Sequence, residues 1–284
     1  MVMTRQQGNQ AVTVVIPAYN AADTLGETID RIRHELAGLA LPVEMLVVDD
    51  GSTDATPAVA ASLPDVVVIR CPQNRGKGWA VYQGVRHASC PVVCFTDADA
   101  PFLPGSYRAV VERVLGGAPI AIGSRRLAGS EMLVRMDALS YAARRHLIGI
   151  SFNRFLRWVT PLPLTDTQCG LKAFRRDVAL QLFERIRSLR YLFDVEVLLA
   201  AQELGVPVEE VAVSVAYRDR KTSLRLVRES LVMGVGLLVI AWHVRTGTYR
   251  NVNPRLAELE PAAAEPVTHR LPLMRQSRGA PHGP

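Results

Sequence analysis

Short runs of β-branched and other apolar residues alternate with helix-like patterns along the chain up to residue 123. Five of these runs are apolar at successive positions, which predicts strands covered on both faces of a sheet. They are Val12–Ile16, Val43–Val48, Val66–Ile69, Val92–Phe95 and Ile120–Ile122. The alternation predicts an α/β fold with a doubly wound, mainly parallel sheet. In such sheets the ligand site lies at the carboxyl ends of the strands.

Between the first two predicted strands, apolar residues recur at helical spacing and predict an amphipathic helix. Thr24 and Glu27 have the spacing of a capping box at its start. After Arg126 the pattern becomes mainly helical, with helices expected near Asp177–Arg187 and Phe193–Leu204 and a strand near Val208–Val215.

The sequence predicts one domain between a short N-terminal segment and a C-terminal tail. We expect a flexible N-terminus over 1–11 and a domain over 12–250, with halves at 12–126 and 127–250. The segment 251–284 contains six prolines and few aromatic residues, so it is predicted to be a disordered tail.

Three of the predicted strands end in short polar loops. The loops are Pro17–Asn20, Asp49–Asp54 and Asp97–Asp99. Each alone is ordinary turn chemistry, since Asp, Asn, Gly and Ser are common in turns and helix caps. All three at one sheet edge are harder to explain by turns alone, and they predict a binding site there.

Asp97 and Asp99 are the strongest candidates for metal binding. Two carboxylates one residue apart at a strand end repel each other unless a cation lies between them. Hard oxygen ligands suit Mg²⁺ or Mn²⁺, which commonly bind one or two carboxylates together with substrate phosphates.

Two basic groups are candidates for anion binding. Lys77 lies in the glycine-flanked loop 74–78, which is either an anion-binding loop before a helix or a solvated basic turn. Arg125 follows the fifth predicted strand, where its guanidinium can hold phosphate oxygens by two parallel hydrogen bonds.

The motifs VVIPAYN, VVDDGSTD, NRGKG, FTDADA, IGSR and DTQCGLKAF, in this order, resemble family 2 inverting glycosyltransferases with the A-type nucleotide-sugar-binding fold. DTQCGLKAF followed by YLFDVEVL is similar to the polyprenyl-phosphate or dolichyl-phosphate glucosyltransferases and their mannosyltransferase relatives. The resemblance covers roughly 12–230 and implies a nucleotide-sugar-binding half at 12–126. It further implies an acceptor and membrane-proximal half at 127–250 with C-terminal interfacial helices.

The resemblance implies roles for individual residues. Pro17 and Tyr19 would border the base, and Asp50, beside Val48, would bind the base or ribose. The diphosphate and its metal would be held by Asp97, Ala98 and Asp99, with Lys77 and Arg125 as further donor-site residues. Acceptor phosphate would be bound by Arg218 or Arg220. Ala21 stands where mannosyltransferases often carry an acidic residue, which favours glucose as the transferred hexose.

Asp166 in DTQCG is the third candidate catalytic residue, with Asp97 and Asp99. A hydroxyl acceptor must lose a proton, so Asp166 would then be a general base. A phosphate monoester has a second pKa of about 6 and is already mostly ionised at neutral pH. With a lipid phosphate acceptor we therefore expect Asp166 to orient acceptor or sugar, although a purely loop-stabilising role stays open.

Charge and hydropathy bear on location. We expect no secretion signal, because MVMTRQQGNQ has no apolar stretch, and no spanning helix, because the apolar run Leu231–Trp242 is shorter than the roughly 18 to 20 residues needed to cross a bilayer. Arginines flank this run, a pattern typical of an interfacial helix. We expect a cytoplasmic protein bound peripherally to the inner face of a membrane, with a buried or homo-oligomer helix as the alternative.

The leading hypothesis is metal-dependent, inverting transfer of a hexose, by preference glucose, to a polyprenyl phosphate. The donor is UDP-glucose or GDP-mannose, and the cofactor is Mg²⁺ or Mn²⁺. The alternative is a glycosyltransferase that acts on a hydroxyl of a soluble or cell-surface glycan. A net charge of +6 also suits a nucleic-acid-binding module, but aromatic residues are only 6% and no such signature is present, so we expect no nucleic-acid partner.

Overall fold

The computed structural model describes residues 10–99, 102–134, 150, 154–160, 162–217 and 223–259. Within these ranges a seven-stranded sheet has the order β3-β2-β1-β4-β7-β5-β8. Its strands are β1 (Val12–Ala18), β2 (Val43–Asp49), β3 (Val66–Arg70), β4 (Val92–Thr96), β5 (Ile120–Ser124), β7 (Leu171–Arg175) and β8 (Glu209–Ala212). A second, two-stranded sheet pairs β6 (Met132–Val134) with β9 (Val215–Tyr217).

Helices cover both faces of the large sheet. They are α1 (Ala22–Ala37), α2 (Thr56–Ser62), α3 (Lys77–His87), α4 (Ser106–Leu115), α5 (Arg176–Phe183), α6 (Phe193–Glu203), α7 (Ser223–Arg245) and α8 (Pro254–Glu258). Residues 154–159 are also helical, and Thr248–Arg250 form a 3₁₀ turn. Buried residues of α1, α2 and α4 form one core, and those of α3, α5, α6 and α7 form the other. The sheet therefore lies between two layers, as the apolar strands predict.

The five predicted strands and the mainly parallel α/β fold are confirmed. The sequence analysis missed β7, which lies between β4 and β5 and runs antiparallel to both. Its first residue, Leu171, pairs with Thr96 at the carboxyl end of β4. Because β7 is reversed, the DTQCG segment before it enters at the same edge as the ends of β4 and β5.

The predicted capping box at the start of α1 is wrong. The helix begins at Ala22, and neither Thr24 nor Glu27 caps its backbone. The N–H of Ala21 instead donates to Thr56 Oγ1 (2.7 Å), and that of Ala22 donates to Asp54 Oδ2 (3.3 Å). The side chains that satisfy this helix end thus come from the loop after β2 and from the first residue of α2.

The domain continues beyond the expected boundary at residue 250. Asn253 is buried, and α8, which contains the buried Leu256, follows it directly. The side chain of Asn253 donates to the carbonyl of Ile186 (2.7 Å), and its backbone N–H donates to that of Glu184 (2.8 Å). Residues 251–259 therefore belong to the folded unit, and the rest of the expected tail lies outside the described residues.

Helix α7 has an apolar face that the rest of the described chain leaves exposed. Leu237 and Ile240 point into the core. Four large apolar side chains lie on the exposed side: Val235, Leu238, Val239 and Trp242. In the part of the chain that the structure describes, α7 included, no helix is long and apolar enough to span a membrane.

Candidate active site

The loops after β1 and β2 are joined by hydrogen bonds. Asn20, in the left-handed backbone region at φ 50°, accepts from the backbone N–H of Thr53 (2.9 Å) through its side chain. Its own N–H donates to Ser52 Oγ (3.0 Å). The polar residues of these loops thus have the structural roles that turn chemistry predicts, and they fix the positions of Tyr19 and Asp50 between them.

Asp50 binds the loop before α3. Its Oδ1 accepts from the N–H of Arg75 (3.0 Å), and its Oδ2 accepts from the N–H of Gly76 (2.7 Å). Burial raises the pKa of Asp50, although these two hydrogen bonds act in the opposite direction. The N–H groups of Arg75 and Gly76, which an anion-binding loop would offer to a ligand, therefore already donate to the carboxylate of Asp50.

The other base-binding candidates differ in accessibility. Tyr19 has 49% of its surface exposed, so its ring is available to a ligand. Pro17 is buried within β1. Val48 is completely buried in the core with Trp79, so its side chain does not line the site.

Asp97, Ala98 and Asp99 leave the end of β4 and are anchored on α1. Thr28 Oγ1 donates to the carbonyl of Ala98 (2.9 Å), and Ala98 is buried. The side chain of Asp97 is 33% exposed, and Asp99 is exposed. Gly170 lies against Asp97: a Cβ at residue 170 would be 2.2 Å from Asp97 Oδ2. The DTQCG segment thus contacts the aspartate that the sequence predicts to bind metal.

A row of alternating charges extends inward from Asp97. Lys77 Nζ lies 2.6 Å from Asp97 Oδ1 and 3.8 Å from Asp194 Oδ2. The other oxygen of Asp194 accepts from the fully buried Lys172 Nζ (2.6 Å), which also donates to the carbonyl of Cys169 (2.8 Å). Burial disfavours the charge of Lys77, but Asp97 and Asp194 outweigh it and raise its pKa, so Lys77 is a cation at neutral pH.

Arg125 and Asp166 form a bidentate pair. Arg125 Nε lies 2.7 Å from Asp166 Oδ2, Nη2 lies 2.8 Å from Oδ1, and the backbone N–H of Arg125 adds a third bond. Burial raises the pKa of Asp166, but the hydrogen bonds and charge of Arg125 outweigh it and leave that pKa below its usual value. Asp166 is therefore a weak base in this arrangement, and two N–H groups of Arg125 are already bonded to it.

The loop that carries Asp166 is held by Glu210 of β8. A carboxylate oxygen of Glu210 accepts from the backbone N–H groups of Thr165 (3.0 Å) and Asp166 (3.2 Å). The hydroxyl groups of Ser124 and Thr165 form a hydrogen bond of 2.8 Å. Two separate strands, β5 and β8, thus fix the position of this aspartate.

The donor set at the end of β4 fits a divalent cation. Asp97 and Asp99 offer hard carboxylate oxygens at an accessible edge, and Gly170, which has no Cβ, accommodates the Asp97 carboxylate. Among the described residues, no cluster of three or more metal-ligating side chains is present. A cation held here would complete its coordination with substrate oxygens, which is the usual arrangement for Mg²⁺.

The structure brings together most of the predicted site residues at one edge of the sheet. Those with exposed or half-buried side chains there are Tyr19, Lys77, Asp97, Asp99 and Arg125. Arg218 and Arg220, the predicted acceptor-phosphate residues, lie outside the described residues, so that prediction stays a prediction.

Sequence reasoning missed Gly170, Lys172 and Asp194. Lys172 stands in an otherwise apolar run, and Asp194 lies at the start of an apolar helix. A buried charge is rare unless it is paired. Lys172 and Asp194, each in an apolar sequence context, were therefore the signal in the sequence that could have predicted a buried ion pair.

Residues 13–183 match the model of the family named Glycosyl transferase family 2. Dolichyl-phosphate beta-glucosyltransferase of Drosophila melanogaster is 32% identical over an alignment of 257 residues that covers 82% of this chain and 77% of that protein. The Homo sapiens protein of the same name is 31% identical over 262 residues, with 84% and 77% covered.

Glucosyl-3-phosphoglycerate synthase from Mycobacterium tuberculosis, solved with UDP, superposes with a TM-score of 0.59 at 22% identity, covering 83% of this chain and 81% of that one. The same enzyme with Mn²⁺ and UDP-glucose gives 0.58. At this identity the likeness concerns the fold. The family match over more than half of the sequence, together with these relatives, shows that the chain belongs to glycosyl transferase family 2.

Proposed function

We propose that this glycosyltransferase transfers glucose, with inversion, from UDP-glucose to a polyprenyl phosphate. The relatives that cover most of the chain are named dolichyl-phosphate beta-glucosyltransferases. Solved proteins of the same fold contain UDP or UDP-glucose. Ala21 after the Tyr-Asn pair is consistent with glucose rather than mannose.

The observation that carries the proposal is the Arg125–Asp166 pair at the same edge of the sheet as Asp97 and Asp99. A hydroxyl acceptor needs a general base, yet the pairing with Arg125 lowers the pKa of Asp166 and weakens it as a base. A phosphate acceptor needs little help because it is already ionised. The state of Asp166 therefore favours a phosphate over a hydroxyl as acceptor.

The residues around the donor have separable tasks. Tyr19 offers an exposed ring to the base, and Asp50 fixes the adjoining loop. Asp97 and Asp99 would hold Mg²⁺ or Mn²⁺ with the diphosphate. A bound divalent ion would neutralise the charge that develops on the leaving diphosphate. Arg125 would orient Asp166 beside the sugar through its bidentate pair.

The apolar face of α7 supports a peripheral place on a membrane. Val235, Leu238, Val239 and Trp242 follow the i, i+3, i+4, i+7 spacing of one helix face, and each is about half exposed or more. His243 and Arg245 lie at its C-terminal end. An apolar helix face with Trp and basic residues is typical of interfacial binding. A lipid phosphate acceptor at the inner face of a membrane would then lie within reach of the site.

One incubation tests the acceptor. Purified full-length protein is mixed with Mn²⁺, UDP-[¹⁴C]glucose and vesicles that contain a polyprenyl phosphate. We expect label that extracts into organic solvent and is released by mild acid. Label found solely on water-soluble product, or no transfer from any activated sugar, would overturn the proposal. Vesicles without polyprenyl phosphate are the control.

A further inference from the structure

Lys77 lies where a divalent cation would bind. Its Nζ is 2.6 Å from Asp97 Oδ1, and it carries the positive charge that offsets the carboxylates at the end of β4. A metal ion on Asp97 would compete with this ion pair and repel the ammonium group. Either Lys77 must move when the ion binds, or the pair must weaken.

Asp194 offers Lys77 a second position. Its Oδ2 is 3.8 Å from Lys77 Nζ, so a movement of about 1 Å brings the ammonium to the usual charge-assisted hydrogen-bond distance. The rings of Phe95 and Phe193 lie beside the ammonium group, with centroids 6.0 Å and 5.5 Å from Nζ. An aromatic face tolerates a cation at this distance, so the lysine stays in favourable surroundings.

Asp194 is itself fixed from the inside. Lys172 is completely buried, and its Nζ donates to Asp194 Oδ1 (2.6 Å) and to the carbonyl of Cys169 (2.8 Å). Asp194 is only 5% exposed. Breaking a buried pair is costly because it leaves a charge without a partner. The carboxylate is therefore held at a constant distance from Lys77.

We infer that Lys77 is the resident counter-cation of Asp97, which a divalent ion must displace, and that Asp194 is the positioning residue that receives the displaced lysine. Lys172 keeps Asp194 in place. This inference rests on the proposed function, because it concerns the same metal and donor site. It explains why a lysine, and not a neutral donor, faces the predicted metal ligands.

The test measures Mn²⁺ affinity without nucleotide, by electron paramagnetic resonance of free Mn²⁺. Lys77→Met removes the competitor, so we expect Mn²⁺ to bind about fivefold more tightly. Asp194→Asn removes the alternative partner and leaves Lys77 on Asp97, so we expect Mn²⁺ to bind about fivefold more weakly. The two variants thus change the affinity in opposite directions.

The double variant separates positioning from a general effect of charge. If Asp194 acts through Lys77, Asp194→Asn has little effect on Mn²⁺ affinity in the Lys77→Met background. A matched pair of controls is Arg175→Met and Asp177→Asn, an exposed ion pair (2.7 Å) at the far end of β7. Neither control should change the affinity, and thermal unfolding reports whether each variant is folded.

Unchanged or weaker Mn²⁺ binding in Lys77→Met would overturn the inference, and so would an effect of Asp194→Asn that persists without Lys77. If Asp194→Asn does not fold, Lys77→Met alone still decides the matter. If the native protein transfers glucose with Mn²⁺ but Lys77→Met binds the ion no more tightly, the inference is refuted and the proposed function stands. If Lys77→Met binds Mn²⁺ more tightly but the native protein transfers no sugar, the proposed function is refuted instead.

Discussion

Gly170 has no side chain, and the carboxylate of Asp97 occupies the space that a side chain would fill. A Cβ at this residue would lie 2.2 Å from Asp97 Oδ2 and 2.8 Å from its Cγ, closer than real Cβ atoms approach other atoms. The backbone of Gly170 is outside the left-handed region, so alanine meets no backbone strain there. The requirement for glycine is thus set by the neighbouring carboxylate.

We expect Gly170→Ala to lower transfer at least about tenfold, because displacing a site group by even 1 Å is costly. Initial rates at saturating donor and a thermal unfolding curve measure the two effects. Gly26→Ala in α1 is the control: nothing lies within 4 Å of its Cβ position, and alanine is favoured over glycine in a helix by roughly 0.5 to 1 kcal/mol. Equal rates for both variants would contradict this view of the site.

Asp166 makes stability depend on pH. Its pKa in the folded chain is below its usual value, so its stabilising effect is complete above about pH 4 and is lost as the pH falls through the folded pKa. Asp166→Asn should cost about 1 to 3 kcal/mol at pH 7, and the difference from the native protein should shrink below about pH 4. Urea unfolding at several pH values measures this, with the exposed Asp65→Asn as control.

The same variant tests the chemistry of the acceptor. With a phosphate acceptor, Asp166→Asn should transfer glucose slowly but measurably, since no essential proton transfer is lost. Loss of a true general base typically costs about 10² to 10⁴ in rate. Complete loss of turnover with intact donor binding would show that Asp166 is the base, and would favour a hydroxyl acceptor.

At the scale of elements, the strands with a continuous apolar pattern were predictable and β7 was not. Its five residues are Leu171–Arg175, and the charged side chains of Lys172 and Arg175 break the apolar run. Lys172 is tolerated in the sheet because Asp194, distant in sequence, is its partner. A local pattern cannot contain that information, and for the same reason the cap of α1 by Asp54 and Thr56 was missed.

The exposed face of α7 makes its own prediction. Leu238→Gln with Trp242→Gln removes two large apolar side chains that are 57% and 61% exposed. We expect binding to anionic lipid vesicles to fall about tenfold or more, with little change in thermal stability. Val252→Ser, also at an exposed apolar side chain, is the control. Unchanged vesicle binding together with a smaller oligomer in sedimentation would show that this face is a subunit contact.

At the scale of the whole molecule, donor binding should appear as thermal stability. A ligand that binds only the folded state at 100 times its Kd adds about 2.7 kcal/mol, which corresponds to several degrees in a chain of this size. We expect UDP-glucose with Mn²⁺ to raise the melting temperature more than GDP-mannose with Mn²⁺ does. The double variant Asp97→Asn with Asp99→Asn should lose the metal-dependent part, and a shift that survives in it would place the ion elsewhere.

The site could be located from the sequence because its motifs follow strands whose carboxyl ends meet at one edge. Its internal pairing could not, since Lys77 meets Asp194 and Arg125 meets Asp166 across long stretches of chain. The burial of Asn253 and Leu256, beyond the expected boundary at 250, could not be predicted either, because proline content says nothing about long-range contacts. Long-range partners are what a single sequence conceals.

The family match stops at residue 183, but the core does not. The layer that packs on α3 is completed by α6, by Leu237 and Ile240 of α7, and by Tyr249 and Leu256. A chain cut at the end of the match would retain α3 and α5 on that side of the sheet but would lose the residues of α6, α7 and the C-terminal segment that pack on them. Chimaeras that exchange the C-terminal portion between relatives therefore have to exchange these core residues along with it.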